Sequence, residues 1–180
     1  MTDSAHPPRL GLREVTWSGV FIALGLAVPV VFHAVGLGAT FLPMFLPVLA
    51  AGLLLRPLPA AAVGLITPPL SSLLTGMPPM MPPVALVMAM EGAVLGGLAA
   101  TLQRRASWNI HLTAAVAVLA ERLVMVASTM LLAPLFGLPG RLAAFGLLAT
   151  GLPGVALLVV AVPLLVRQLH ALRPARHGRP

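Results

Sequence analysis

This chain has few charged residues and no lysine, cysteine or tyrosine. Only 8% of its 180 residues are charged, whereas 59% are apolar. A soluble domain of this length could not bury so much hydrophobic surface. Without lysine there is no phosphate-binding loop of the GxxxxGK[ST] type and no Schiff-base catalyst, and without cysteine there is no disulfide or thiol chemistry. The composition therefore predicts an all-α integral membrane protein that does not hydrolyse ATP through such a loop.

The apolar residues fall into six segments that predict membrane-spanning helices. A helix needs about 20 apolar residues to cross ~30 Å of hydrocarbon, and fewer where it is short or broken. The segments are residues 15–35, 40–55, 58–75, 84–102, 112–133 and 145–166. Prolines in the second and third segments predict that both helices are kinked or interrupted. We interpret residues 15–167 as one domain, with cytoplasmic tails at 1–14 and 168–180.

The arginines fall mainly on one side of these six segments. One side carries Arg9, Arg13, Arg56, Arg104, Arg105, Arg167, Arg173, Arg176 and Arg179, and the other carries Arg141. Cytoplasmic connections are enriched in arginine and lysine, so both termini are predicted to be cytoplasmic. One span more or fewer would scatter the arginines over both faces. The charge of +7 is explained by this topology, and no nucleic-acid partner is expected.

Three charged residues lie within the predicted spans: Glu91 in the fourth, and Glu121 with Arg122 in the fifth. A lone charge at the bilayer centre costs at least about 2.5–3.5 kcal/mol, so such residues normally face a cavity or a partner. Adjacent helical residues point about 100° apart, which predicts different partners for Glu121 and Arg122. Two interpretations stay open. Arg122 bridges to Glu91 and only fastens two helices, or Glu91 accepts hydrogen bonds from a ligand whose carboxylate or amide oxygen meets Arg122.

Two further features bear on function. Residues 76–83 form a predicted external loop that is apolar and contains four prolines; it is either a lid over an outward-facing pocket or a segment at the lipid interface. Gly19, Ala23 and Ala27 recur every four residues in the first span and form a small-residue stripe. Such a stripe lets helices approach closely, and the approaching helix belongs either to this chain or to a second protein.

Neither a metal site nor an enzyme is predicted. His33 and His111 fall on opposite sides of the membrane, and no strong ligands share metal-binding spacing. The motifs GxSxG and HExxH are absent, and Ser128 has no histidine in its span. We therefore expect no cofactor and no catalytic residues.

The sequence resembles a family of membrane transport proteins. ALGLA at residues 23–27 resembles the AxxxA motif of the substrate-binding S-components of energy-coupling-factor (ECF) vitamin transporters. FLPMFLPVLAAGLLL at 41–55, GLITPPL at 64–70 and GMPP at 76–79 are similar to a common S-component pattern. These ordered prolines and glycines, together with the topology, are more specific than the AxxxA motif alone.

The resemblance implies a six-helix bundle in a bacterial or archaeal inner membrane. It implies a subunit that captures a vitamin or vitamin precursor outside and delivers it inward by reorientation, when docked to a transmembrane coupling protein with two ATPase subunits. The stripe of Gly19, Ala23 and Ala27 would dock the coupling protein. The implied substrate-binding residues are Thr40, Met77, Met80, Met88, Glu91, Arg122, Met125 and Thr150.

The alternative function is a membrane scaffold or assembly subunit without a small ligand. Such a scaffold would tolerate joint replacement of the charged residues within the membrane by apolar ones. The sequence leaves the vitamin open. Tyrosine is absent and both tryptophans, Trp17 and Trp108, fall at the cytoplasmic boundary, so ring stacking would depend on phenylalanine. This tilts the prediction slightly away from flavins and folates.

Overall fold

The computed structural model describes residues 11–106, 108–137 and 139–171, and every regular element in those ranges is helical. The long helices are α1 (Leu12–Ala34), α4 (Pro57–Thr75), α5 (Val84–Thr101), α6 (Ile110–Leu132) and α7 (Gly140–Ala171), and the short ones are α2 (Gly38–Phe41) and α3 (Phe45–Leu54). A π-helical turn at Leu102–Ala106 extends α5, and a 3-10 turn at Ala133–Phe136 follows α6. Most of both predicted tails, residues 1–10 and 172–180, lies outside the described residues.

Five helices are long and apolar enough to cross a membrane, namely α1, α4, α5, α6 and α7. They coincide with the first, third, fourth, fifth and sixth predicted spans. The second predicted span is different, because α3 has only 10 residues and is therefore about 15 Å long. Seven of the ten residues of α3 are buried among the other helices. The helical, multi-pass character of the protein is thus confirmed, whereas the six-span count stays a prediction.

The second predicted span is interrupted near its start. After the single turn of α2, Leu42 adopts a left-handed conformation with φ 52°, and α3 begins only at Phe45. Leu42 precedes Pro43, whose ring disfavours the right-handed helical conformation in the preceding residue. The predicted interruption is confirmed here. In the third span, α4 continues without interruption through Pro68 and Pro69 to Thr75, so a kink there stays a prediction.

The helices α4 and α5 are held together by small residues. Gly64 lies so close to Gly92 that a side chain on either would collide with the backbone of the other. One turn further along, a Cβ on Gly96 would lie 2.5 Å from the carbonyl oxygen of Ala60. Close approach of this kind gives extensive van der Waals contact, which is the main source of helix association in lipid.

The two ends of the bundle differ in charge. At the arginine-rich end, the Arg56 side chain lies 3.7 Å from the Glu14 carboxylate at the start of α1. Arg104 donates a 3.0 Å hydrogen bond to the carbonyl oxygen of Leu55, and so places a positive charge beside the carboxyl end of α3. The opposite, arginine-poor end is formed by the α1–α2, α4–α5 and α6–α7 connections. Arg141 lies at this end, near the start of α7.

Candidate functional site

A cavity of about 760 Å³ lies at the arginine-poor end of the bundle. Side chains of α1, α4, α5, α6 and α7 line it, together with Leu42, Pro43 and Met44 from the irregular segment before α3. Irregular backbone at membrane depth is tolerated where it is buried in protein or lines a cavity, and the break between α2 and α3 lies in such a place. The volume is within the range of about 300–1,000 Å³ that is common for small-molecule sites.

Two charged side chains reach the cavity from neighbouring helices. Glu91 of α5 and Arg122 of α6 both line it, although each residue is almost fully buried, with 3% and 9% of its surface exposed. Glu121 is completely buried and is not among the lining residues. The structure thus brings together the two charged residues that the sequence predicted for the site, and places Glu121 behind them.

Glu121 holds the guanidinium group of Arg122. The Nε atom of Arg122 donates a 2.6 Å hydrogen bond to Oε2 of Glu121, and Nη2 donates to Oε1 of the same carboxylate. This bidentate hydrogen bonding fixes the plane of the guanidinium group as well as its position. The remaining nitrogen, Nη1, lies beside Gly151 of α7, where an added Cβ would be 3.4 Å away. Arg122 therefore extends from α6 towards α7.

This pairing corrects the prediction that Glu121 and Arg122 have different partners. It also leaves no bridge between Arg122 and Glu91, because the ion pairs in the described part of the chain are Arg122–Glu121 and Arg56–Glu14. The prediction considered only the directions of the two Cα–Cβ bonds. The arginine side chain is long enough to turn back along its own helix and meet the adjacent carboxylate.

The apolar wall of the cavity comes from helix faces that are regularly spaced. On α6, Arg122, Met125 and Thr129 line it at positions i, i+3 and i+7, and on α5, Met88 precedes Glu91 by three residues. These spacings place the residues of each helix on one face. Of the residues predicted for substrate binding, Met77, Met88, Glu91, Arg122, Met125 and Thr150 line the cavity, while Thr40 and Met80 do not.

The proline-rich connection between α4 and α5 covers part of the cavity. Met77, Pro78, Pro79, Pro82 and Pro83 are lining residues. The hydroxyl of Ser71 in α4 donates a 2.7 Å hydrogen bond to the carbonyl oxygen of Met77. At the other end of the connection, the amide of Ala85 donates to the carbonyl oxygen of Pro79 at 3.1 Å. The segment therefore borders the cavity, and its function as a lid stays a prediction.

Several lining residues were not predicted from the sequence. They include the hydroxyl residues Ser71, Thr75, Ser128 and Thr129, the apolar residues Phe45, Val87, Leu132, Phe136 and Leu147, and also His33. Helical spacing was a usable signal for some of them, since Thr129 lies two turns from Arg122 on the same face. No comparable pattern marks Phe45, which reaches the cavity only because the chain breaks before α3.

The small-residue stripe on α1 is exposed. Gly19, Ala23 and Ala27 all face away from the rest of the described chain, and a Cβ added to Gly19 would meet no atom within 4 Å. The buried face of α1 consists instead of Phe21, Gly25 and Pro29. Ala23 lies two residues from both Phe21 and Gly25, so the two faces are on opposite sides of the helix.

The family assignment rests on most of the chain. No curated protein and no solved structure matches this chain. The family model described as ECF transporter, substrate-specific component, matches residues 13–166. That range contains α1 except its first residue, α2 to α6, most of α7, and every residue that lines the cavity. Members of this family are components of transporters and not enzymes. The chain therefore belongs to the family of substrate-specific components of ECF transporters.

Proposed function

We propose that this protein captures a vitamin or vitamin precursor from outside the cell in the cavity at its arginine-poor end. It then delivers the molecule inward by reorientation, when it is docked to a transmembrane coupling protein that carries two ATPase subunits. The observation that carries this proposal is the placement of two nearly buried charged residues, Glu91 and Arg122, in a cavity of about 760 Å³. The chain has no lysine, so a phosphate-binding loop for ATP must come from a partner.

The energetics of charged residues in a membrane support a binding role for this cavity. Each charge near the bilayer centre carries an insertion cost of about 2.5–3.5 kcal/mol on translocon scales. Glu121 compensates Arg122, but Glu91 is not in the same ion pair. A scaffold would gain nothing from the third charge, whereas a binding site uses it to orient a ligand.

The arginine distribution supports the orientation of this importer. Of the nine arginines assigned to the cytoplasmic side, the described residues include Arg13, Arg56, Arg104, Arg105 and Arg167. The contacts of Arg56 and Arg104 join the start of α1 to Arg56, and the carboxyl end of α3 to the turn that follows α5, on the side opposite the cavity. With that end in the cytoplasm of a bacterial or archaeal cell, the cavity opens outward. In this orientation six membrane crossings, with α2 and α3 as the second, bring both termini inside.

The exposed stripe on α1 supports the proposed docking. Its small residues offer a surface on which a helix of a coupling protein can approach the α1 backbone closely. The interpretation in which another helix of this chain covers the stripe gains no support, because Gly19, Ala23 and Ala27 are exposed in the described structure.

Ligand binding is tested first by mass spectrometry of the small molecules that are released from the gently purified protein. We expect a vitamin-like molecule from the unaltered protein, and none from a protein that carries both Glu91→Gln and Arg122→Gln. Arg141→Gln is the matched control, because Arg141 is exposed at the same end and does not line the cavity. If no molecule is released by the unaltered protein, even after soaking with a vitamin mixture, the scaffold alternative is favoured.

Docking is tested separately with Ala23→Trp. An indole ring on the stripe prevents close helix approach, so we expect loss of co-purification with the coupling protein and loss of uptake, while ligand binding is retained. Ala156→Trp adds the same ring at an exposed position of α7 and serves as the control. Uptake that survives Ala23→Trp would show that the docking surface lies elsewhere.

A further inference from the structure

The guanidinium group at the cavity has limited capacity to attract an anion. Two of its three nitrogens, Nε and Nη2, already donate to the Glu121 carboxylate, which neutralises the positive charge of Arg122. Only Nη1 makes no hydrogen bond to a described residue. A hydrogen-bond donor without excess charge is suited to a neutral acceptor such as an amide or urea oxygen.

Glu91 makes the local charge still less favourable for an anion. Its carboxyl group neighbours both Glu121 and Arg122. The paired donation from Arg122 favours the ionised form of Glu121. With Glu121 ionised, the three side chains carry a formal charge of −1 when Glu91 is ionised and 0 when it is protonated, so the cluster is positive in neither case. The remaining ionisable side chain of the cavity lining is His33, at the outer end of α1. A ligand carboxylate at the cluster would meet no uncompensated cation there.

The other polar groups of the lining are largely occupied within the protein. The hydroxyls of Ser71 and Thr150 donate to backbone carbonyl oxygens at 2.7 and 2.9 Å. Thr75 likewise donates to the carbonyl oxygen of Ser71, and Thr129 lies 3.8 Å from the sulfur of Met125. Methionine, proline, valine and leucine side chains supply most of the remaining surface. Apart from Ser128 and His33, the polar surface of the cavity is therefore concentrated at Glu91 and Arg122, within an apolar lining.

From these contacts we infer that the ligand carries no net negative charge at the end that meets Glu91 and Arg122. That end presents a hydrogen-bond donor and an acceptor side by side, as an amide, ureide, amidine or aminoheterocycle does, on an otherwise apolar body. The donor meets Glu91 and the acceptor meets Nη1 of Arg122. This inference rests on the proposed function, because it describes the ligand of the same cavity.

The test measures binding of matched probe pairs in which a carboxylate is replaced by its uncharged primary amide. Suitable pairs are nicotinamide with nicotinate and the primary amide of pantothenate with pantothenate, each tested on the full chain in detergent. For any pair that binds, we expect the uncharged member to bind about tenfold more tightly or better, the factor that corresponds to one charge-assisted hydrogen bond. The molecule released from the native protein is also expected to be neutral or cationic at that end.

Substitutions test whether the preference for uncharged probes depends on Glu91, Glu121 and Arg122. Glu121→Gln keeps an oxygen that accepts from Arg122 but removes one negative charge, and Glu121 does not line the cavity. We expect this change to shift the binding ratio of each pair towards the anion by about tenfold. Glu91→Gln should shift the ratio in the same direction. If Glu121→Gln fails to fold, Glu91→Gln alone tests whether the preference depends on these residues. Glu14→Gln removes an acidic charge at the arginine-rich end and should leave the ratio unchanged.

The outcomes separate this inference from the proposed function. Equal or tighter binding of the anionic probes by the unaltered protein, or a native ligand whose polar groups are all anionic, overturns the inference and leaves the binding function in place. A ratio that neither variant changes overturns the assignment to Glu91, Glu121 and Arg122. If no probe binds and no small molecule is released, the proposed function fails, and the inference fails with it.

Discussion

Substitution of Glu121 or Arg122 alone should lower the free energy of unfolding much more than substitution of both together. Removing either partner leaves a buried charge without compensation, which typically costs about 3–5 kcal/mol. Glu121 is fully buried and Arg122 is 9% exposed, so the full cost applies to Arg122→Leu, whereas Glu121→Leu leaves Arg122 beside Glu91 and should fall at the lower end of this range. For a chain of this size, 1 kcal/mol corresponds to roughly 2–4 °C in Tm. Each single change should therefore lower Tm by about 6–20 °C.

The double change Glu121→Leu with Arg122→Leu should behave differently. It removes both charges at once, and replacement of a buried ion pair by apolar side chains is often neutral or stabilising by about 1–4 kcal/mol. We therefore expect the doubly changed protein to be more stable than either single variant while it releases no ligand. Thermal unfolding of the four proteins in the same detergent, followed by loss of soluble monomer, measures the coupling.

The second ion pair of the described structure provides the control. Arg56 and Glu14 lie 3.7 Å apart, with side chains 41% and 21% exposed. Solvent-accessible pairs contribute about 0–1 kcal/mol, so the same cycle on Arg56 and Glu14 should show little coupling. Single-variant costs at Glu121 and Arg122 that simply add in the double variant, or that are as small as those of the control pair, would refute the buried pairing.

Two further predictions concern packing within the bundle. Gly92→Ala places a Cβ 2.7 Å from the carbonyl oxygen of Gly64 and should destabilise the protein by about 1–3 kcal/mol. Gly146→Ala is the control in α7, because its Cβ meets no atom within 4 Å and should stabilise the helix by about 0.5–1 kcal/mol. An unchanged or raised Tm for Gly92→Ala would contradict the close α4–α5 contact. Thr113 is fully buried and its hydroxyl has no hydrogen-bond partner among the described residues, so Thr113→Val should leave Tm unchanged or raise it by a few degrees, and a clear loss of stability would show that the hydroxyl is satisfied.

The long helices and their faces could be predicted from the sequence because lipid imposes simple rules. A membrane helix needs a continuous apolar run, and α5, α6 and α7 have one. The same rules fail for α3, which is apolar enough but too short. Hydropathy shows that a segment lies in apolar surroundings, but it does not show how long its helix is. The surroundings of α3 are mainly other helices. Its early break depends on the conformation of one residue, Leu42, before a proline.

The candidate site could be predicted only in part for a related reason. The high cost of charge in a membrane predicted that Glu91 and Arg122 face either a cavity or each other, and the structure places both in the cavity lining. The role of Glu121 could not be predicted, because the contact depends on the rotamers of two adjacent side chains. Rotamers are decided by what surrounds a helix, including the space that Gly151 leaves beside Arg122.

The helix α1 is in direct contact with both surfaces on which the proposed transport depends. Leu26, Pro29 and His33 of α1 line the cavity, while the stripe around Ala23 is exposed on its other side. Of the five long helices, α1 also has the smallest buried share, 17% of its most apolar stretch of 18 residues. A helix with few buried contacts is displaced at a lower free-energy cost than its neighbours. A partner that docks on the stripe therefore acts on the wall of the cavity that is held least firmly by the rest of the bundle.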